Sequence, residues 1–346
     1  MNEGFNKSKV KTGLKFSLGV SILASILLII LTMDENTIDK LMAVNIYYLV
    51  LAVIICFLMW FVGGLRTKLI ANALEEKLSL KAGFDIFLVG AFVSNVTPFA
   101  SGGGPVQVLL LHRKGISLGK SSTIIIIQFV LRLLFFGILA PILFLRFKSL
   151  IKPGIISIEI LNLAILLVLL ISVIIIYFIW QPDNIKYLTK KMTKIRVLNS
   201  LLKNDKTKGL VDKFYQEMEE FHNSLWQLTK YKRSSLIWAG LCTIIFWGLF
   251  FTIAPVILLG LGAKPFFLRS FVMQTIFYLI LPYIPTPGGS GVAELGFASF
   301  FASFVPKSLL GLLAIVWRSL TFYLPIILGG LILLRILGLK GLKANN

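Results

Sequence analysis

Acidic residues, histidine and cysteine are scarce in this sequence, and each scarcity excludes a class of function. The chain has 15 Asp and Glu, two His and two Cys among 346 residues. No His, Cys and carboxylate residues recur at metal-ligand spacing, and Cys56 and Cys242 form no CxxC pair. No hydrophobic run carries the paired acids of an intramembrane protease. We therefore predict a protein that is not an enzyme, with no catalytic residue, no metal and no cofactor.

Charge of either sign is also low, whereas long hydrophobic runs are abundant. Charged residues make up 14% of the chain and hydrophobic residues 57%, with a mean hydropathy of +0.89. A soluble domain is about a quarter charged, and several runs here reach the roughly 20 residues that cross a bilayer. The net charge of +20 lies mostly between these runs, which favours membrane orientation over nucleic-acid binding. We predict an all-α polytopic protein of a bacterial or archaeal cell membrane.

Eight hydrophobic stretches divide into two kinds. Two of them, 84–112 and 266–305, are each broken by Gly and Pro into pieces too short to cross a bilayer. Each is predicted to be a re-entrant helical hairpin, whose tip must be buried in protein or line a watery cavity. The other six are predicted to be full spans, at about 14–33, 42–65, 121–147, 155–180, 234–262 and 308–337.

The distribution of Lys and Arg predicts the orientation. The N-terminus, the segments around both ends of the first hairpin, and the C-terminus are basic, so we expect them in the cytoplasm. Arg66 is counted among these loop charges, and the basic loop 146–152 is the exception. The second hairpin then enters from outside. One domain, 1–346, would thus contain an inverted repeat of a first half, 14–180, and a second half, 234–337, as alternating-access carriers do.

The segment 181–233 is predicted to be a cytoplasmic insert of two amphipathic helices. Apolar residues recur at helical spacing from Ile185 to Leu198 and from Val211 to Leu228. Two arrangements are open. The basic face could lie against anionic headgroups, or the two helices could pack on each other.

The two interruptions contain a repeated motif. The first reads TPFASGGGPVQ over 97–107, and the second reads IPTPGGSGVAE over 284–294. A shift of 187 residues aligns Gln107 with Glu294. Paired Gly/Pro-interrupted segments in corresponding halves indicate a transporter's binding site. The shift also aligns Pro98 with Pro285, Gly102 with Gly289, and Gly104 with Gly291.

Arg132 and Arg318 lie inside hydrophobic spans, where an arginine costs roughly 2.5–3.5 kcal/mol. They could bind an anion in a cavity, or pair with Glu294 or a tip carbonyl and hold the hairpins in place. Glu294 itself could pair with Arg318, contact a cationic headgroup or carry a proton.

The tips themselves favour an anion site. Half-helices that start at Pro105, and at Val292 with Ser290 as a possible N-cap, would direct free N–H groups into the cavity. The candidate binding residues are Arg132, Arg318, Glu294, Ser101, Gly102, Gly103, Gly104, Gln107, Gly289, Ser290 and Gly291.

With these motifs, the chain resembles the membrane region of the lysylphosphatidylglycerol synthetase/flippase family, including its stand-alone flippase-like relatives. The resemblance implies a lipid-translocating domain with two re-entrant hairpins and a headgroup cavity lined by Arg132, Arg318 and Glu294. The sequence ends at Asn346, soon after the last span. We therefore expect no aminoacyl-transfer domain, and lipid synthesis is not implied.

Three functions stay open at this stage. The leading one is a flippase for an anionic lipid, such as a phospholipid, an aminoacyl lipid or a polyprenyl phosphate. The second is a carrier or channel for a small soluble anion. The third is a non-transporting partner that holds a lipid- or glycan-modifying enzyme through 181–233. A homodimer is also open.

Overall fold

The computed structural model describes residues 7–147, 158–180 and 205–341, and the regular structure in these ranges is entirely helical. Short 3-10 turns at Pro98–Ala100, Leu281–Tyr283 and Pro287–Gly289 and π-turns at Gln227–Tyr231 and Ser319–Tyr323 connect or extend the α-helices. The α-helices are α1 Lys7–Thr32, α2 Glu35–Met42, α3 Ile46–Ala73, α4 Leu80–Asn95, α5 Gly103–His112, α6 Leu118–Phe147, α7 Ile158–Trp180, α8 Asp205–Trp226, α9 Arg233–Gly260, α10 Phe267–Ile280, α11 Val292–Phe301, α12 Lys307–Arg318 and α13 Leu324–Gly341.

Five helical segments of the described chain are long and apolar enough to cross a membrane. They are Thr12–Thr32, Ile46–Ala73, Leu118–Phe147, Arg233–Gly260 and Lys307–Gly338, the last formed by α12, a π-turn and α13. They fall on five of the six predicted spans. The sixth, 155–180, falls on α7, and its first three residues lie outside the described ranges, so this span stays a prediction.

The predicted span 42–65 has the wrong bounds. Its first residue belongs to α2, and α3 starts at Ile46 and continues to Ala73. Arg66 therefore lies inside a long helix, where it is buried, and not in a cytoplasmic loop. The error arose because Arg66 and Lys68, two charges near the end of α3, were taken as the start of a loop.

Helices α3 and α9 form the central antiparallel pair. The N–H of Asn45 donates to the carbonyl of Gly260 (2.8 Å), which joins the start of α3 to the end of α9. Beyond the other end of α3, Gln227 donates to Glu75. Each helix has 28 residues, or about 42 Å at 1.5 Å per residue.

Each Gly/Pro motif connects two short helices that pack against each other as a hairpin. The ends of the α4–α5 hairpin are close together, because Glu76 before α4 pairs with Lys120 at the start of α6 (2.6 Å). The α10–α11 hairpin closes in the same way, with the rings of Phe266 and Phe304 5.4 Å apart. Each hairpin thus begins and ends at a single end of the molecule.

The two hairpins open from opposite ends of the α3–α9 pair, and their tips touch. The first starts beyond the end of α3, and the second beyond the end of α9. The turn Pro98–Ala100 contacts the turn Pro287–Gly289, and a Cβ added to Gly288 would lie 2.7 Å from the carbonyl oxygen of Asn95. The re-entrant character of the hairpins, the inverted repeat and the depth of the tips in a bilayer remain predictions.

The second half of the predicted insert packs against the body of the protein. Helix α8 contacts α6, and Glu217 accepts a hydrogen bond from the N–H of Gly119 (2.6 Å). Leu225 and Leu228 are buried in the same contact region. The first predicted amphipathic helix, over 185–198, lies outside the described residues, so packing of the two helices on each other remains a prediction.

Candidate substrate-binding site

The two tip turns have the same backbone conformation over their first four residues and diverge at the fifth, where ψ is −24° at Ser101 and 137° at Ser290. Both begin with an extended Thr followed by Pro, and the residue after the proline is left-handed, with φ 55° in the first turn and φ 58° in the second. In both, a serine hydroxyl donates to the proline carbonyl over 2.8 Å. The matching residues are Thr97 with Thr286, Pro98 with Pro287, Phe99 with Gly288, Ala100 with Gly289 and Ser101 with Ser290.

This match shows that the predicted alignment of the repeat is wrong by two residues. Helices α5 and α11 each have ten residues, and they start 189 positions apart. Glu294 is therefore equivalent to Pro105, not to Gln107. The error came from aligning the first turn with Pro285, whereas the second turn is built on Pro287. The Gln107 side chain instead covers Gly90 of α4, where a Cβ would collide with it.

Glu294 and Arg318 form a buried ion pair at the second tip. Nε of Arg318 donates to Oε1 of Glu294 over 2.8 Å, and the two residues are 3% and 1% exposed. Stacking of Phe297 on Trp317, with ring centroids 4.1 Å apart, packs α11 on α12 and holds the pair in register. This geometry agrees with the interpretation in which Arg318 pairs with Glu294 and holds the hairpin in place.

Arg318 also binds the second turn directly. Its Nη2 donates to the carbonyl oxygen of Gly288 over 2.9 Å and lies 3.4 Å from the hydroxyl of Ser290. One face of the guanidinium lies on the ring of Phe322, 3.7 Å from the centroid. These contacts leave little of the guanidinium for a ligand.

Two residues of this network, Ser21 and Tyr323, were not predicted. The hydroxyl of Ser21, on α1, donates to Glu294 and lies 2.8 Å from the hydroxyl of Tyr323. Ser17 and Ser21 are both fully buried, one helical turn apart. That periodic serine pair within an apolar run was the signal in the sequence.

The predicted helix starts need small corrections. Ser290 does not cap α11, because its hydroxyl turns back to Pro287. Gly291 is the N-cap, with φ 88°, and its N–H donates to Oε2 of Glu294 over 2.8 Å. Helix α5 begins at Gly103, two residues before the predicted Pro105.

Arg132 is in a different environment. It lies at the midpoint of α6, partly buried, with its guanidinium 5.0 Å from the centroid of the Phe129 ring. It is close enough to Tyr283 for an electrostatic interaction, and the turn that contains Tyr283 contacts the first tip. Among the described residues, Arg132 forms no ion pair.

The first tip is also more open than the second. Pro98, Phe99 and Ser101 are exposed, whereas Pro287 and Ser290 are buried. The Gly102–Gly103–Gly104 segment opens α5, whose first N–H groups have no acceptor within the helix. Gly103 must stay small because a Cβ there would overlap Ser94, but a Cβ on Gly104 would meet only Ile125, at 3.7 Å.

Outside the two tips lies a third arginine, Arg66, whose burial was not predicted. Arg66 is 8% exposed, and it donates to Thr243 (3.1 Å) and Gln128 (3.2 Å). Its charge is close enough to that of Arg132 for the two to repel. Arg66 lies seven residues before the end of α3, so the signal was its position within an apolar helix.

Long apolar helices define a multi-pass membrane protein, and the touching Gly/Pro tips with their arginines form its candidate binding site. Residues 16–329 match the family described as the lysylphosphatidylglycerol synthase TM region. The chain belongs to this family, as the resemblance predicted.

Three archaeal relatives, each named a UPF0104 membrane protein, match most of the chain. The Archaeoglobus fulgidus protein is 28% identical over 90% of this chain and 93% of its own length. The Pyrococcus horikoshii protein is 26% identical, over 87% and 90% respectively. The Methanocaldococcus jannaschii protein is 25% identical, over 90% and 92%. No solved structure matches the chain.

Proposed function

We propose that this protein is a transporter, not an enzyme, and that it moves an anionic lipid between the leaflets of the membrane. The phosphate of the headgroup binds Arg132 and the N–H groups of the first tip, at Gly103 and Gly104. The acyl chains stay in the bilayer. Membership of the lysylphosphatidylglycerol synthase TM family supports a role in lipid handling.

The observation that carries the proposal is the contrast between two intramembrane arginines. Arg318 has its counter-charge in Glu294 (2.8 Å), whereas Arg132 forms no ion pair with any residue that the structure describes. An unpaired arginine at the middle of a membrane helix is costly, and such residues mark substrate pathways. A phosphate would supply the missing charge and accept several hydrogen bonds.

Exposure of the first tip favours a lipid over a small soluble anion. Phe99 at this tip is 55% exposed, and next to it lie Pro98 and Ala100, which are also exposed and apolar. A sealed pocket for a soluble anion would cover such surface, whereas a lateral opening needs apolar surface in contact with acyl chains.

The second tip acts as the gate. Arg318 holds the second turn through Gly288 while Glu294 caps α11, so exchange of one of these contacts would release the tip. Movement of the two hairpins about their shared contact exposes the headgroup site first to one side and then to the other. Protonation of Glu294 would break the pair and couple transport to protons.

The test is lipid translocation in proteoliposomes. Fluorescent phosphatidylglycerol is introduced into both leaflets, and a membrane-impermeant reductant bleaches the outer one. Loss of the inner-leaflet signal then reports transport. Since a charged hydrogen bond contributes about 1.5–3 kcal/mol, Arg132→Ala should slow the rate at least about tenfold.

Arg146→Ala is the matched control. It removes the same charge from an exposed position of the same helix, and its rate should equal that of the wild type. Equal rates for Arg132→Ala and the wild type would disprove the site. Uptake of soluble phosphate without lipid movement would favour the anion carrier, and no transport of either would favour a non-transporting partner.

A further inference from the structure

We propose a second anion-binding site, centred on Arg66 and Gln128 and enclosed by α3, α6 and α9. Its ligand is a phosphate group, carried by a lipid headgroup or free in solution. This site lies outside the two tips, and its occupancy does not depend on lipid translocation.

The Arg66 guanidinium is held between three helices by neutral groups. Nη1 donates to the hydroxyl of Thr243 on α9 over 3.1 Å, and Nη2 donates to Oε1 of Gln128 on α6 over 3.2 Å. The ring of Phe246 lies 5.7 Å from the guanidinium carbon. The Nε–H group of Arg66 is buried and has no acceptor in the protein.

Gln128 presents a second unused donor beside the first. It is 7% exposed, its Oε1 accepts from Arg66, and Thr67 lies within 3.5 Å of the same oxygen. Its Nε2 group is buried without an acceptor. Two neighbouring residues, each more than nine-tenths buried, therefore have N–H donors that nothing in the protein satisfies, and buried donors are normally paired.

The charges around this cluster point to an anion. Arg66 forms no ion pair in the described part of the chain. The groups that act on it electrostatically are Arg132, one turn from Gln128 on α6, and the thiol of Cys242 on α9. A buried cation whose partners are all neutral is unfavourable, and a second cation nearby makes it more so. A phosphate would balance the charge of Arg66 and accept from the unused donors.

The position of the cluster gives it a role in access. Arg66 lies about 10 Å from the end of α3, given seven residues at 1.5 Å each, whereas Arg132 lies at the midpoint of α6. Lys77 and Lys120 lie at that same end of the molecule. An anion that enters from this end would meet Arg66 before it reaches Arg132 and the tips.

Equilibrium binding tests the proposal without measuring transport. The protein is placed in nanodiscs of a neutral lipid, and the midpoint of thermal unfolding is followed while short-chain phosphatidylglycerol or inorganic phosphate is added. The parent variant is Arg132→Ala, which removes the cation beside the first tip. This parent should still be stabilised by the added anion, because Arg66 and Gln128 remain.

Adding Arg66→Met to the Arg132→Ala parent should weaken the response to added anion at least tenfold. Arg233→Met, at an exposed position of α9, is the matched control and should not change it. Stabilisation by both probes identifies free phosphate as sufficient, whereas stabilisation by phosphatidylglycerol alone identifies a headgroup site.

Two outcomes would overturn the site: no response of the Arg132→Ala parent to either anion, or an unchanged affinity after Arg66→Met. Without ligand, Arg66→Met should be at least as stable as its parent, since replacing a buried charge by an apolar side chain of similar length is often neutral or stabilising. If that variant does not fold, Gln128→Leu removes the second donor and should weaken binding in the same way. Failure of the wild-type protein to translocate lipid, with this binding intact, would contradict only the proposed function.

Discussion

Three arginines of similar sequence context occupy three different electrostatic environments. Arg318 is paired with Glu294, Arg66 is held by Thr243 and Gln128, and Arg132 has only the ring of Phe129 and the neighbouring Tyr283. The paired arginine contacts the second tip, and the two without carboxylates are the ones that we propose bind ligands. An intramembrane arginine therefore indicates a functional site only when no carboxylate of the protein pairs with it.

Glu294→Gln tests the structural role of the buried pair. Breaking a buried ion pair leaves Arg318 uncompensated and should cost roughly 3–5 kcal/mol, seen as a lower midpoint of thermal unfolding in detergent. The control is Glu76→Gln, which breaks the partly exposed pair with Lys120 and should cost at most about 1 kcal/mol.

The double variant Glu294→Gln with Arg318→Met completes this test. It should be more stable than Glu294→Gln alone, because the uncompensated charge has gone. If Glu294→Gln lowered the midpoint of thermal unfolding no more than Glu76→Gln, the Glu294–Arg318 pair would not stabilise the tip.

At the level of elements, the two tip turns share a conformation but differ in sequence. Phe99 and Ala100 have φ 55° and 52°, and their counterparts Gly288 and Gly289 have φ 58° and 66°. Left-handed backbone costs a residue with a side chain about 1–3 kcal/mol, and such strain is concentrated at functional sites. The strained turn is the exposed one at the first tip, and the relaxed turn is the buried one held by Arg318.

Gly288→Ala should destabilise the second tip beyond the cost of its backbone conformation. An added Cβ would collide with Phe322 and lie 2.7 Å from the carbonyl of Asn95 in the first hairpin. The matched control is Gly262→Ala, also left-handed at φ 70° but with open space around it. We expect Gly288→Ala to cost about 1–3 kcal/mol more than the control, measured by thermal unfolding. Equal losses would show that the tips are not in close contact.

For the whole molecule, the relation between the hairpins follows from the antiparallel α3–α9 pair. Because the hairpins start from opposite ends of this pair and meet at their tips, the segments around residues 76 and 264 lie at opposite ends of the protein. Helix α8 packs on α6 at the end near Lys120. The cytoplasmic placement of that end remains a prediction.

Cysteine labelling tests this topology. Lys77 and Lys264 are exposed, whereas the native Cys56 and Cys242 are buried, so background labelling should be low. In intact cells, a membrane-impermeant maleimide should label Lys264→Cys at once and Lys77→Cys only after lysis. Labelling of both variants in intact cells would contradict the opposite placement of the two hairpin bases.

Much of the fold could be predicted because its signals are local. Apolar run length predicted the five long helices to within a few residues at most ends, and the start of α11 at Val292 was predicted correctly. The errors arose where a local pattern had two solutions. Ile284-Pro-Thr-Pro offers two prolines for one turn, and the charge of Arg66 fits either a loop or a buried site.

The sequence by itself determined that this chain is a helical membrane protein with two interrupted hairpins, because hydropathy, Gly/Pro turns and run length act within a few residues. Only the tertiary structure decided which arginine has a counter-charge and which turn residues are equivalent. Those features depend on contacts such as Arg318 with Glu294, Ser21 with Tyr323 and Arg66 with Thr243. Their partners lie 24, 302 and 177 positions apart in the chain, where no local pattern connects them.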